Sequence, residues 1–509
     1  MQKLVRLFNT VKYLKFTQIY YRLFYFARNR GRRITGFKYD LSKGSISTSL
    51  KLSDSIQSNS VYKDGEFNFL NLSKKFGSKI DWNYKEYGKL WTYNLTYFEY
   101  LKEKEDVNLI YNFIENIESV KDGLEPFPIS LRGISWIKFL TIFEIKDKKI
   151  DDSLYAQYYM LLDNLEYHLL GNHFLENGFS LLFGAYYFQD ETLYKKAKEI
   201  LEVELDEQIL DDGAHFELSP MYHQIMLFRV LDCIDLVQNN SWKNQELLKY
   251  LEEKASIMLG WLENITYENG SIPLFNDSAN KIAPTSNELF EYANNLKLNI
   301  QHSTLKDSGC RKFNSDNYEC IVDIGEVGAS YIPGHAHADT FNFELYIDKK
   351  PFIVDTGLST YNTGKLRDFE RSTKAHNTVE INSENSSEVW GGFRVADRAH
   401  VINVVENIDH IKATHDGYMK KFGVLHTREW IFEENKISIK DSLNKDCDAI
   451  ARFHFHPDIS KEEIRQRVVI QNSKFKIQYY NYAPEFNKTI EALVLEIAFT
   501  KELKVEIKI

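Results

Sequence analysis

Between about residues 85 and 300, apolar side chains recur every three or four positions. Leu154, Tyr158, Leu161, Leu162, Leu165 and Leu169 lie on one stripe of a helix and predict a helical segment over 154–169. Similar stripes over 103–119, 180–208, 221–238 and 245–264 are separated by short polar or glycine-containing turns. Successive amphipathic helices without intervening strands predict an all-α domain of paired helices, a toroid or solenoid, over 76–302. The polar stretch His302–Gly309 marks a boundary, and beyond it the period drops to two. There Phe341, Phe343, Leu345 and Ile347 alternate with Asn342, Glu344, Tyr346 and Asp348, and Lys349-Lys350-Pro351 turns the chain into Phe352-Ile353-Val354. Further short strands over 400–406, 449–455 and 475–480 predict an antiparallel β-sandwich over 315–509. Residues 40–75, rich in Ser, Lys and Asp, read as an irregular connector. With the segment before it, this connector makes up residues 1–75.

A chain of 509 residues is too long for one ordinary core, in keeping with two or three domains. Its net charge of −10 argues against nucleic acid as a partner, and suits a polyanionic substrate only if basic residues gather in a cleft. The 31 Tyr and 34 Phe offer core material and also surfaces for stacking on sugar rings. Cys233, Cys310, Cys320 and Cys447 are too scattered for a disulfide framework or a cysteine zinc site. One region opposes the overall charge. Residues 1–33 hold nine Lys and Arg, among them Arg6, Lys12, Arg22, Arg30 and Arg33, and no acid, interleaved with Leu7, Phe8, Leu23, Phe24 and Phe26. Such a helix either lies on an anionic membrane surface or packs on the main body. The start does not resemble a cleavable export signal, so the expected location is cytoplasmic at the inner membrane surface, with the cell envelope or periplasm as the alternative.

The densest chemistry lies in Gly334-His335-Ala336-His337-Ala338-Asp339, followed by Asp355 and His376. In an extended strand, His335 and His337 would share a face. Two imidazoles and a carboxylate are a common Zn²⁺ ligand set, leaving one histidine for chemistry; a plain sheet-face pair is the competing reading. Gly171-Asn172-His173 breaks the preceding helical stripe and places an amide and an imidazole at a helix end, where they could bind an anionic carboxylate. Ser219 and Pro220 cap and open a new helix with Tyr222 and His223 in its first turn. A tyrosine there is catalytic only if neighbouring charges lower its pKa. Arg371, Arg394, Arg398 and Trp390 put basic side chains and an indole near the proposed metal. A second pair, His454 and His456, reads as structural.

Together these segments resemble the heparinase II/III-like family of polysaccharide lyases, from about Leu90 to Pro457. The residues that carry the resemblance are Pro126 to Arg132 with Trp136, Gly171-Asn172-His173, Phe216 to His223, Gly334 to His337, Asp355-Thr356-Gly357 and Arg371 to Thr378. It implies an (α/α) toroid followed by a β-sandwich, and β-elimination on a uronic-acid-containing polysaccharide. It also implies Tyr222 and His335 as the acid–base residues, either of which could be the base, Asn172 and His173 as the carboxylate-neutralising pair, and His337, Asp355 and His376 as ligands of an organising Zn²⁺. Arg132, Trp136, Arg371 and Arg394 are the expected substrate contacts. The alternative is an accessory glycan-binding protein of surface-polysaccharide biosynthesis that keeps the fold without turnover. Glycan hydrolysis is disfavoured, because no convincing carboxylate pair stands out.

Overall fold

The computed structural model describes residues 2–41, 43–77, 79–243, 245–471 and 473–509. An N-terminal helical body is followed by an antiparallel β body, as the change of period predicts. The helical body runs from Lys89–Tyr97 through Val107–Asn116, Pro126–Ile142, Lys148–Asp163, Gly171–Phe188, Glu191–Gln208, Pro220–Asn239 and Glu246–Ile265 to Ser286–Asn295. Their starts follow local chemistry. Asp147, Asp190, Ser219 and Thr285 each cap a helix by accepting a hydrogen bond from a first-turn N–H. Three helices meet around the buried Tyr158, whose ring lies over Gly133 and Gly184. An added Cβ would stand 2.6 Å from its hydroxyl oxygen at Gly133 and 2.7 Å from its ring at Gly184. Small residues are therefore required for these helices to approach so closely.

The β body has a six-stranded sheet ordered Val401–Asn407, His410–Tyr418, Val424–Glu433, Lys436–Leu443, Glu502–Lys508 and Val468–Gln471. Two four-stranded sheets, one containing Phe343–Ile347 and the other Ala449–His454, are bridged at Ile353 and Phe455. All three share one apolar core that includes Val322, Phe343, Phe453, Ile497, Trp430, Ile439 and Val505. Every residue of Phe343–Ile347 is buried. Its polar alternates Glu344 and Tyr346 face the helical body rather than solvent, with Tyr346 stacked on Tyr267 at 3.8 Å between ring centroids.

Three local expectations differ from the structure. The stripe over 154–169 outlasts its helix, which ends at Asp163; Leu165 is buried from the turn that follows. The stretch 40–75 is not wholly irregular. It forms a small sheet of Val61–Lys63, Glu66–Phe69 and Leu72–Lys75, with Phe67 and Phe69 buried against the helices. Finally, residues 331–340 are a loop and not a strand.

Candidate active site

The helical body offers the ends of two helices, and the β body offers the 331–340 loop. Gly171-Asn172-His173 does not end a helix but opens the helix Gly171–Phe188, after a left-handed turn at Leu170 and Gly171. Consecutive helical residues point about 100° apart, so Asn172 and His173 diverge. The Asn172 amide donates to Glu217 at 2.8 and 3.1 Å and lies 3.3 Å from His335 Nε2. The His173 ring turns away to Glu166, 3.0 Å from Nδ1, and packs on Phe127. Burial would depress His173, but the Glu166 carboxylate outweighs it and raises the imidazole above its ordinary value. The expected pair of carboxylate donors is therefore split, and Glu217 holds the place beside Asn172.

Tyr222 lies in the first turn of Pro220–Asn239, where the Ser219 hydroxyl accepts from its backbone N–H. Its ring lies against the His335 imidazole, with centroids 3.9 Å apart, and its hydroxyl is 3.2 Å from that of Tyr361. Burial holds the phenol well above its usual range, with Asp277 and Glu217 adding to the effect against Tyr361 and Arg367. The cations nearby do not overcome burial, so the lowered pKa expected of a catalytic tyrosine here is not found, and Tyr222 is a neutral phenol whose available role is proton donor. Tyr97, Phe127, Arg229 and Tyr361 help line the cleft into which Asn172 and Tyr222 open.

The hub of the site is Asp277. The loop Asn276-Asp277-Ser278 is clamped from both bodies: the Ser219 hydroxyl donates to the Asp277 carbonyl, and the Asn276 side chain accepts from the His337 N–H. Asn276 takes the left-handed conformation (φ 56°) that this residue type tolerates. The Asp277 carboxylate accepts from Arg367 at 2.5 and 2.7 Å, from His335 Nδ1 at 2.9 Å and from His337 Nε2 at 2.8 Å. Burial alone would raise this carboxyl, but Arg367 and the two imidazoles hold it well below the usual range. An ionised Asp277 fixes the proton of His335 on Nδ1, leaving Nε2 as the basic nitrogen facing Asn172. His335 and His337 thus share a face through a common carboxylate and not through strand geometry.

Among the described residues no three His, Cys, Asp or Glu side chains stand as a ready metal-ligand set. His337, Asp355 and His376 are nonetheless neighbours. The His337 and His376 rings are 5.2 Å apart, and His376 Nδ1 meets Asp355 at 2.8 Å. His337 Nδ1 and His376 Nε2 are buried without a partner, which in a dry core costs about 1–3 kcal/mol each. Burial depresses His337 to about 3, so its free nitrogen carries a lone pair. At His376 the carboxylates Asp355, Asp339 and Asp323 outweigh burial and raise the imidazole. A pocket with orphaned imidazole nitrogens that attracts positive charge fits a cation.

Three of the four expected substrate contacts are placed elsewhere by the structure. Arg132 is fully buried and donates to Gln157 and to the carbonyls of Thr96 and Gly123, tying helix to loop. Trp136 is core, packed edge-on against Phe98 and Phe113. Arg371 is buried and donates to the Ala336 carbonyl, so it shapes the loop between the two histidines. Arg394 is exposed and lies over Trp390. His454 is buried in a strand, bonded to Asn377, as the structural reading expects.

The sequence alone does not single out Asp277, Glu217, Arg367 or Tyr361. Glu217 lies within the Phe216–His223 motif and was legible there. Asp277 and Arg367 carry no local pattern and emerge only when the two bodies meet.

Residues 150–301 match the family model described as heparinase II/III N-terminus, and residues 299–498 the model described as heparinase II/III-like, C-terminal. A heparin-sulfate lyase of Bacteroides stercoris is 24% identical over 248 residues, covering 43% of this chain and 37% of that protein. One of Pedobacter heparinus is 24% identical over 251 residues, covering 42% and 38%. The matched part therefore spans under two-fifths of these relatives. Among solved structures, a heparinase III aligns with a TM-score of 0.62 at 16% identity, over 86% of this chain and 80% of that one. The heparan sulfate lyase of Pedobacter heparinus aligns at 0.53 and 16%, over 87% and 81%. These likenesses establish the architecture, an (α/α) toroid followed by a β-sandwich.

Proposed function

The chain belongs to the heparinase II/III-like family, and we propose that it is a polysaccharide lyase that cleaves a uronic-acid-containing glycan by β-elimination. The observation that carries this reading is that His335 touches both Asn172 and Tyr222, which line one cleft, with Asp277 behind His335. In a 4-linked uronate the proton on C5 is acidic only because a carboxylate adjoins it. His335 Nε2 removes that proton, the C5 electron pair forms the C4–C5 double bond, and the C4–O bond breaks. The neutral Tyr222 phenol donates its proton to the departing glycosidic oxygen. The tautomer that Asp277 imposes and the burial that keeps Tyr222 protonated support this division of labour.

Asn172 would steady the charge that develops on the substrate carboxylate. Glu217 adds a condition, because it already accepts from the same amide. The uronate carboxylate would therefore compete with Glu217 for that donor.

We also propose that His337, Asp355 and His376 hold Zn²⁺, which when bound would organise the loop that carries His335. His337→Ala should then lower bound zinc and thermal stability together; equal zinc in variant and parent would refute the assignment.

The test is incubation with a panel of uronate polysaccharides, following the ultraviolet absorbance of the unsaturated product. Tyr222→Phe should lose turnover while retaining fold and glycan binding. Glycan binding by the parent without product on any acidic glycan would favour the accessory role in polysaccharide biosynthesis.

A further inference from the structure

The N-terminal arm is mounted inside out. Its two helices, Gln2–Val11 and Phe16–Thr35, attach to the rest of the protein through their polar and aromatic face. In the first helix, Arg6 pairs with Glu388 at 2.6 Å and Thr10 accepts from the Trp390 indole at 3.2 Å. In the second, Gln18 donates to the Leu169 carbonyl, Arg22 to that of His168 and Tyr25 to that of Leu165. Arg28 and Arg32 pair with Asp163, and Tyr21 stacks on Tyr167 at 4.4 Å. Positions 18, 21, 22, 25, 28 and 32 form one stripe of a helix, so the opposite stripe must face away.

That opposite stripe is apolar. Leu4, Leu7, Phe8 and Val11 lie on one face of the first helix, and Phe16, Ile19, Tyr20, Leu23 and Phe26 on the outer face of the second. Leu4 is 72% exposed, Phe8 67%, Phe16 80%, Leu23 66% and Phe26 68%. Single exposed apolar residues are ordinary, but a contiguous face of large ones marks a docking surface. Toward its C-terminal end the same outer face turns basic. Arg30 and Arg33 on this face, and Lys38 just beyond the end of the helix, are exposed and have no ion-pair partner among the described residues. No acid occurs before Asp40.

We infer that this arm seats the protein on an anionic lipid bilayer, with the apolar stripes of both helices entering the headgroup boundary and Arg30, Arg33 and Lys38 meeting the lipid phosphates. Charge complementarity selects this occupant: a second copy of the chain would bring the same cations to the same face. The arm lies on the surface and does not cross it; no helix among the described residues is long and apolar enough to span a membrane. Its attachment also bears on the cleft, since the residue 165–169 turn that it grips leads directly into Gly171–Phe188, which carries Asn172.

The test is co-sedimentation of the full chain with vesicles of phosphatidylcholine alone and of phosphatidylcholine mixed with phosphatidylglycerol. The protein should pellet with the mixed vesicles, remain in solution with the neutral ones, and release as salt rises. Combining Phe8→Ser, Leu23→Ser and Phe26→Ser should abolish binding with an unchanged melting temperature, because these side chains make no core. Combining Arg30→Glu and Arg33→Glu should weaken it by about ten-fold or more. Equal binding to both vesicle types, undiminished binding by the serine variant, or a lipid-free dimer that the serine variant dissolves would overturn the inference.

Discussion

Two buried clusters in this protein use almost the same residues. At the cleft, Asp277 is gripped by both arms of Arg367 and meets His335 and His337. Inside the sandwich, Asp441 is gripped by Arg428 at 2.7 and 3.0 Å and meets His426 at 2.7 Å, which in turn meets His415 at 3.0 Å. The difference lies in closure. In the sandwich, Arg428 also donates to the carbonyls of Phe341 and Asn377, and His415 Nδ1 accepts from Gly417. Each ring nitrogen there has a partner within the protein. Beside the cleft, His335 is partly open, and His337 Nδ1 has no partner among the described residues. An aspartate, an arginine and two histidines do not make a site by themselves. What makes one is a hydrogen-bonding capacity that the protein leaves unspent.

This contrast can be broken most sharply at the histidines. His335→Ala should lower kcat on a uronate polysaccharide by about 10²–10⁴-fold with little loss of fold, the usual share of a positioned acid–base group. Its counterpart, Asp441→Asn, should act on stability alone. Leaving Arg428 buried and uncompensated costs about 3–5 kcal/mol, read as a lower denaturation midpoint, while turnover per folded molecule is unchanged. A fall in kcat for Asp441→Asn would erase the distinction. The sign with pH follows from its charge state. Burial alone would lift the Asp441 carboxyl, but Arg428 and His426 bring it down to about 2. Its contribution is therefore complete above the unfolded carboxylate range and is lost as pH falls through 2.

The smallest effect belongs to a buried carboxylate with no guanidinium at all. Glu204 accepts from Gln208 and is pushed up to about 7 by burial, Glu207 adding to this and Lys15 opposing it. Its stabilising contribution is present below the unfolded carboxylate range and is lost as pH rises through 7. Glu204→Gln should remove about 1–3 kcal/mol of that loss, measured as a flatter dependence of melting temperature on pH between acid and neutral conditions.

The sequence disclosed those features whose cause is local. Periodicity located both bodies, and Ser219 with Pro220 located the helix that presents Tyr222, because caps and stripes are nearest-neighbour physics. The motif residues Asn172, Tyr222 and His335 do converge. Arg132 and Arg371 lie away from the expected substrate surface for a physical reason. Composition shows that Arg132 and Arg371 are charged, but not that backbone carbonyls await them inside the fold. Adjacency in the sequence pairs His173 with Asn172, whereas helical rotation separates them. Asp277 and Arg367 are 90 residues apart and meet only when the bodies dock, so no window along the chain could join them.

Asp277 belongs to the stretch of chain between the last two helices of the toroid, yet every side chain that its carboxylate holds comes from beyond residue 330. Neither half can therefore prime His335 alone. A toroid made separately would carry an aspartate with nothing to grip, and a sandwich made separately would carry histidines in no fixed tautomer. Reactivity becomes a certificate of correct assembly, withheld from any partly folded chain in which the two halves have yet to find each other.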